Sequence, residues 1–292
     1  MVLLFSFFSL HALNEKDSIV PKHYQTQFIV GTSLLGGGSL GYLATVWYKP
    51  GSGSEFHTFN DWPEWGRMDK LGHACTSFWI AEGLHSLALK SGFNASRSRW
   101  LAAGIPMAYM TGIEVMDGFS KDWGFSWGDM AANASGLSLF LLEQHFPTFQ
   151  HLQLKYSYKA GPWNAYRTDV FGTSVAQRML KNYNEQTYWL SISLHPLWSA
   201  WPNWLGLALG YSIEGYVGGR DNQWINQGQL IAYPEAWRSP EFCMSLDLNL
   251  VRLSKKYSWL KPLATGFGWI KIPFPTVVWQ SGKLPQYRWT GW

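Results

Sequence analysis

Three polar pairs at helical spacing, set in an otherwise apolar and glycine-rich stretch, constrain the fold of this chain more than any other feature. Asp69 and His73 are four residues apart, Glu114 and Asp117 three apart, and Asp129 and Asn133 four apart, so each pair falls on one face of an α-helix. Charge among apolar residues is costly unless the groups satisfy one another, so the pairs are expected to face inward and meet. The helices carrying them are expected at 68–90, ending at Ser91-Gly92, at 100–117, and from the Ser126 cap to just before Pro147. Pro106 is expected to kink the middle one or to mark a later start.

A further helix is expected at 26–47. It contains no charge, is long enough to cross a bilayer, and has a Gly37-to-Gly41 spacing that admits a neighbouring helix. A phosphate-binding loop is excluded there because no Lys-Ser or Lys-Thr follows the glycines. Before it, residues 1–20 begin with an apolar run that reads as a candidate signal segment with a cleavage point near Ala12, though without a basic start. The stretch from Lys49 to Ser54 is a flexible break. The reading for 21–150 is therefore a membrane-associated four-helix bundle.

After Pro147 the period changes. Strands are expected at 152–158, 188–194, 205–213, 242–250 and 269–279, with a short amphipathic helix between 169 and 184. The run from Cys243 to Leu250 alternates apolar and polar residues. Five or six short strands are fewer than the eight of the smallest membrane barrel, so a small sheet or Trp-rich interfacial helices is expected over 151–292. The fold class is α+β, with a helical bundle followed by an aromatic-rich half containing short β-strands.

Composition narrows the setting. Charged residues are 14% and aromatics 17%, with 19 Trp, against about 25% charged residues in a typical soluble domain, which suits a protein at a membrane interface. The mean hydropathy of -0.13 argues against a multi-span protein. The net charge of +4 is spread without a run of five basic residues, which excludes nucleic acid as a partner. Cys75 and Cys243 stand far apart without a C-x-x-C or Cys/His cluster, which excludes a zinc or thiol-redox motif. Two buried thiols are expected, with a disulfide the alternative in an oxidising periplasm.

The run Trp62-Pro63-Glu64-Trp65-Gly66-Arg67-Met68-Asp69-Lys70-Leu71-Gly72-His73, then Glu114-Val115-Met116-Asp117, then Gly124-Phe125-Ser126-Trp127-Gly128-Asp129-Met130-Ala131-Ala132-Asn133, resembles the YfiM-like family of predicted periplasmic or outer-membrane lipoproteins. More distantly it is similar to VanZ-like membrane proteins. The resemblance covers roughly residues 60 to 140. It implies a bacterial envelope location and a helical domain, and it brings no settled biochemical activity. A lipoprotein needs a cysteine just after its signal segment, and the chain departs from that pattern.

Two readings of the polar residues follow. In the chemical one, His73 is a metal ligand or general base, Glu114, Asp117 and Asp129 are further ligands or acids for a divalent metal, and Lys70 and Asn133 hold a substrate anion. The protein would then be a metal-dependent hydrolase or transferase acting on a lipid phosphate or a lipid-linked envelope precursor. In the plainer one, Asp69, Lys70, His73, Glu114, Asp117, Asp129 and Asn133 form a structural network that fixes helix register, and no cofactor is required. No H-E-x-x-H or nucleophile elbow accompanies the cluster, and adjacent Ser120-Lys121 points apart rather than forming a dyad. His85 is expected to be a core or interfacial residue, the Trp198, Trp201, Trp204 run an interfacial anchor, and the segment from Gly218 to Asp221 a turn. The preferred function is a non-catalytic accessory or structural subunit at the outer membrane. Its partners would be membrane lipid and other envelope proteins in a hetero-oligomeric complex.

Overall fold

A computed structural model describes residues 21–46 and 53–289; the candidate signal segment at 1–20 lies outside them. The architecture is α+β and divides into two units. The helical unit holds the described residues up to Asp61 together with His73–Phe149; the sheet unit holds Trp62–Gly72 and the described residues from Gln150 onward.

Among the described residues four long helices occur, α1 (His23–Val46), α2 (Met68–Lys90), α3 (Ala95–Gly118) and α4 (Trp127–His145). The unit boundary falls within α2, after Gly72. At 24 residues α1 extends about 36 Å, and it is long and apolar enough to cross a bilayer over His23–Thr45. It touches α3 through Ser39 Oγ and Tyr109 Oη at 3.2 Å and through Leu40 against Gly112. Near its start Gln25 Nε2 donates to the Gly92 carbonyl at 2.7 Å, and the Phe28 and Phe93 rings meet edge to face. The outer side of α1 leaves Leu34 and Tyr42 largely uncovered.

α3 starts five residues before the expected position. The reason is Asn94, whose side chain accepts the Arg97 amide at 2.9 Å and caps the helix there. Pro106 sits inside α3 without ending it. α4 opens as expected on Ser126, whose hydroxyl accepts the Asp129 amide at 3.1 Å, and it ends before Pro147. The loop before α2 lies along the α3–α4 junction: the His57 amide donates to the Gly118 carbonyl, and the Phe125 and Phe59 amides are exchanged with His57 and Phe125 carbonyls. This carries Asp61 to the start of α4.

In the sheet unit, β1 (Leu152–Tyr158), β2 (Gln186–Ser193), β3 (Leu205–Glu214), β6 (Ser239–Leu248), β7 (Thr276–Gln280) and β8 (Gln286–Arg288) form one antiparallel sheet in the order β1-β2-β3-β6-β7-β8. A separate hairpin joins β4 (Gln223–Asn226) to β5 (Gln229–Ala232). Both the hairpin and β8 went beyond the sequence expectation. The expected strand at 269–279 is two pieces, because Trp269 and Lys271 exchange backbone hydrogen bonds with Tyr156 on the free edge of β1 before the chain crosses to β7. The helix expected over 169–184 is likewise broken into Thr168–Phe171 and Val175–Lys181 by Gly172 at φ 88°.

The crossing from Lys271 to Thr276 fixes the curvature of the sheet. In a flat sheet the 269–271 segment and β7 would lie five strand spacings apart, about 24 Å, whereas five residue steps reach about 17 Å. The sheet is therefore rolled, and the Lys271 ammonium reaches across its concave side to Ser245 Oγ at 3.2 Å and the Leu246 carbonyl at 2.8 Å on β6. Residues 62–72 cover one end of the convex side: Met68 packs on Ile213 and Tyr216, and Tyr211 Oη donates to the Gly66 carbonyl at 2.9 Å.

Candidate functional site

The polar residues of α2, α3 and α4 in the helical unit meet at His73. Its Nδ1 lies 3.2 Å from Asn133 Oδ1 and 3.6 Å from Glu114 Oε1, and its Nε2 lies 3.7 Å from Asp129 Oδ1. Asp129 and Asn133 reach the same imidazole because they are one turn apart on α4, as their spacing predicts. Ser77, one turn after His73 on α2, donates its hydroxyl to Asn133 Oδ1 at 2.9 Å. Glu114 also accepts the Ser126 amide at 3.1 Å, so its carboxylate stands at the positive end of α4. Ser126 Oγ donates in turn to Asp61 Oδ1 at 2.7 Å.

Glu114, Asp129, Asn133, Ser77 and Ser126 are all buried, and His73 is mostly so. Asp117 is half-buried at the end of α3, where its carbonyl receives the Ser120 amide. Asp69 and Lys70 belong to the sheet unit, where Asp69 accepts the Tyr183 hydroxyl at 2.6 Å and Lys70 Nζ lies 3.4 Å from Asp69 Oδ2. Sequence reasoning missed Ser77 and Asp61. Ser77 carried a usable signal, being a small polar residue four positions after His73 in an apolar helix.

The close approach that makes the cluster possible occurs at Gly136, one turn beyond Asn133. A Cβ there would lie 2.0 Å from the Ala74 carbonyl oxygen, so α2 and α4 touch backbone to backbone immediately beside His73. His85, farther along α2, meets the Phe140 ring edge to face at 5.5 Å, and burial draws its pKa down, as suits a core residue.

Chemically, the arrangement presents one imidazole with a different carboxylate at each nitrogen. Glu114 and Asp129 approach opposite nitrogens, so a single cation held by one ring nitrogen would not be shared by both. The Asn133 carboxamide nitrogen is buried without a hydrogen-bond partner, while its oxygen takes both the Ser77 hydroxyl and the His73 contact. Cys75, also on α2, is a free buried thiol whose pKa burial pushes up, which disfavours the thiolate.

A second acid in the same unit has a pH consequence. Burial pushes Glu143 on α4 up to about 9, and the Glu82 carboxyl adds to the rise. The folded state therefore holds this proton over a range in which the unfolded chain has released it. Its contribution is fully present below pH 4.5 and is lost as pH climbs towards 9. Denaturant melts at stepped pH are expected to show stability falling across that window, with a flatter slope in Glu143→Gln.

Residues 58–145 match the model of a family described as Predicted periplasmic lipoprotein (DUF2279). This segment is similar to that family. The match runs from the loop before α2 to the end of α4 and so encloses His73, Glu114, Asp129, Asn133 and Gly136, while β1 to β8 lie outside it. The matched segment is less than a third of the chain, and its likeness to predicted periplasmic lipoproteins suits a cell-envelope association. No curated protein and no solved structure gave a significant match.

Proposed function

We propose that this chain is a non-catalytic accessory or structural subunit of a bacterial envelope complex at the outer membrane. In this reading α1 to α4 act as a bundle whose polar centre holds the helices in register. The observation that carries it is that each nitrogen of His73 faces a different buried carboxylate, with Asn133 and Ser77 completing the set from α4 and α2. Polar groups gathered out of water at one helix junction favour the single packing that brings them together.

Purification of the full chain from native membranes in mild detergent, with mass spectrometry of what co-elutes, tests this reading. A stoichiometric partner set is expected with the wild type. His73→Ala is expected to lose that set and about 2 kcal/mol of stability, since buried oxygens of Glu114, Asp129 and Asn133 lose their polar neighbour. Metal-dependent phosphate release from a lipid phosphate by the purified wild type, abolished by His73→Ala, would overturn the reading in favour of a hydrolase.

A further inference from the structure

The rolled sheet carries ion pairs on its inner face and exposed aliphatic residues on its outer one. On β3 and β6 the register pairs Leu207 with Leu246, Leu209 with Met244 and Tyr211 with Phe242 on one face, and Ala208 with Ser245, Gly210 with Cys243 and Ser212 with Glu241 on the other. An antiparallel sheet with one wet face buries the apolar set. Here the buried set joins a small apolar cluster of Trp189, Ala208, Cys243 and Val278 to charged and polar groups, while the larger aliphatic set faces out. Lys155 and Asp247 are both 0% exposed on the concave side and pair at 2.5 Å, and Glu241 is 5% exposed with Arg288 at 2.6 Å. On the convex side Leu209 is 45%, Phe242 59%, Met244 37%, Leu246 38% and Tyr287 55% exposed.

We propose that the convex face of β3, β6, β7 and β8 is inserted into the acyl region of one leaflet of an anionic bilayer. An apolar solvent outside and ion pairs held inside account for this arrangement. A soluble partner could cover the apolar face equally well but would give no reason for ion pairs on the inner one.

Two further observations select lipid. The convex face is banded, with aliphatic positions from Leu205 to Leu209 on β3 opposite Leu248 to Met244 on β6, and an aromatic row of Tyr211, Phe242 and Trp279 beside them. The aliphatic band is about 14 Å deep along the strand, close to half of a roughly 30 Å hydrocarbon core. Beyond its other end the chain enters the segment Leu250–Lys256 and its continuation, where Lys255, Lys256, Tyr257, Trp259 and Lys261 are exposed. Residues 249–292 carry seven Lys and Arg and no Asp or Glu. Exposed cations with aromatics at the rim of an apolar band match an anionic headgroup layer.

The proposal rests on the envelope association and is independent of the role assigned to His73. Its test uses the full chain with an environment-sensitive fluorophore on Met244→Cys, compared with Gln229→Cys on the β4–β5 hairpin. The probes are phosphatidylethanolamine–phosphatidylglycerol vesicles with and without doxyl-labelled lipid. Blue-shifted emission at 244 with at least twofold quenching by doxyl lipid, and neither at 229, is the expected result. In unlabelled protein, Leu246→Lys is expected to weaken vesicle binding roughly tenfold.

If α1 alone holds the protein on vesicles, the label at 244 stays water-exposed and unquenched, and the proposal fails. It fails equally if that label is shielded only after a co-purified envelope protein is added and remains unquenched by lipid, since a protein then covers the face. Neither failure touches the partner set or the His73→Ala result that tests the accessory reading.

Discussion

Gly136→Ala is expected to destabilise the helical unit by about 3 kcal/mol and to lower its unfolding midpoint by roughly 8 °C. The cause is local. The added methyl would sit 2.0 Å from the Ala74 carbonyl oxygen and 2.8 Å from its carbon, both backbone atoms that cannot swing aside as a side-chain tip would. Relief requires α4 to move away from α2 at the level of His73 and Asn133, so the 3.2 Å contact between them opens with the helices. The loss should thus exceed a simple overpacking cost and should be shared with the polar cluster. Gly83→Ala on α2 is the matched control: its Cβ would meet nothing within 4 Å, and replacing a helical glycine there should stabilise by about 0.5 to 1 kcal/mol. Denaturant melts of both variants decide the matter. Equal behaviour would mean that the α2–α4 contact is looser than the backbone approach indicates.

The helical unit was legible because its signals are local. Helical spacing put Asp129 and Asn133 on one face, and Ser126 announced the start of α4 through its cap. Asn94 did the same for α3, and its neglect displaced the expected start by five residues. The meeting of His73, Glu114, Asp129 and Asn133 followed from the cost of leaving such groups alone in an apolar setting. Ser77 was legible from its four-residue spacing after His73 and was overlooked, whereas Asp61, one carboxylate in a loop, carries no period. The sheet unit was harder for a different reason. Alternation along β6 shows that two faces exist, but the pattern is the same whichever face is buried. Only the return of residues 269–271 to the edge of β1 rolls the sheet and reveals that the serines, Lys155 and Asp247 are inside. That pairing joins positions more than a hundred residues apart and leaves no mark on either segment.

Lys155→Met is expected to cost the sheet unit about 4 kcal/mol, the larger of the two effects, because it leaves a buried carboxylate uncompensated. Asp247 sits opposite on the concave face at 0% exposure; its Oδ2 takes the Lys155 ammonium and the Ser191 hydroxyl, while its Oδ1 has no hydrogen-bond partner. Lys155 also donates to the Leu248 carbonyl at 2.6 Å, so the variant loses that bond as well. The informative comparison is with Asp247→Leu and with both changes together. If the pair is held as an ion pair out of water, each single change is severe, and the double variant recovers most of the loss because two apolar groups of similar volume need no partner. Thermal melts of the four proteins in the same detergent give the coupling directly. Additive losses would show that water enters the concave side and screens the pair. The convex face would then be the apolar side of a sheet wet on both faces, and the case for a lipid solvent outside it would fall with the dry interior that motivated it.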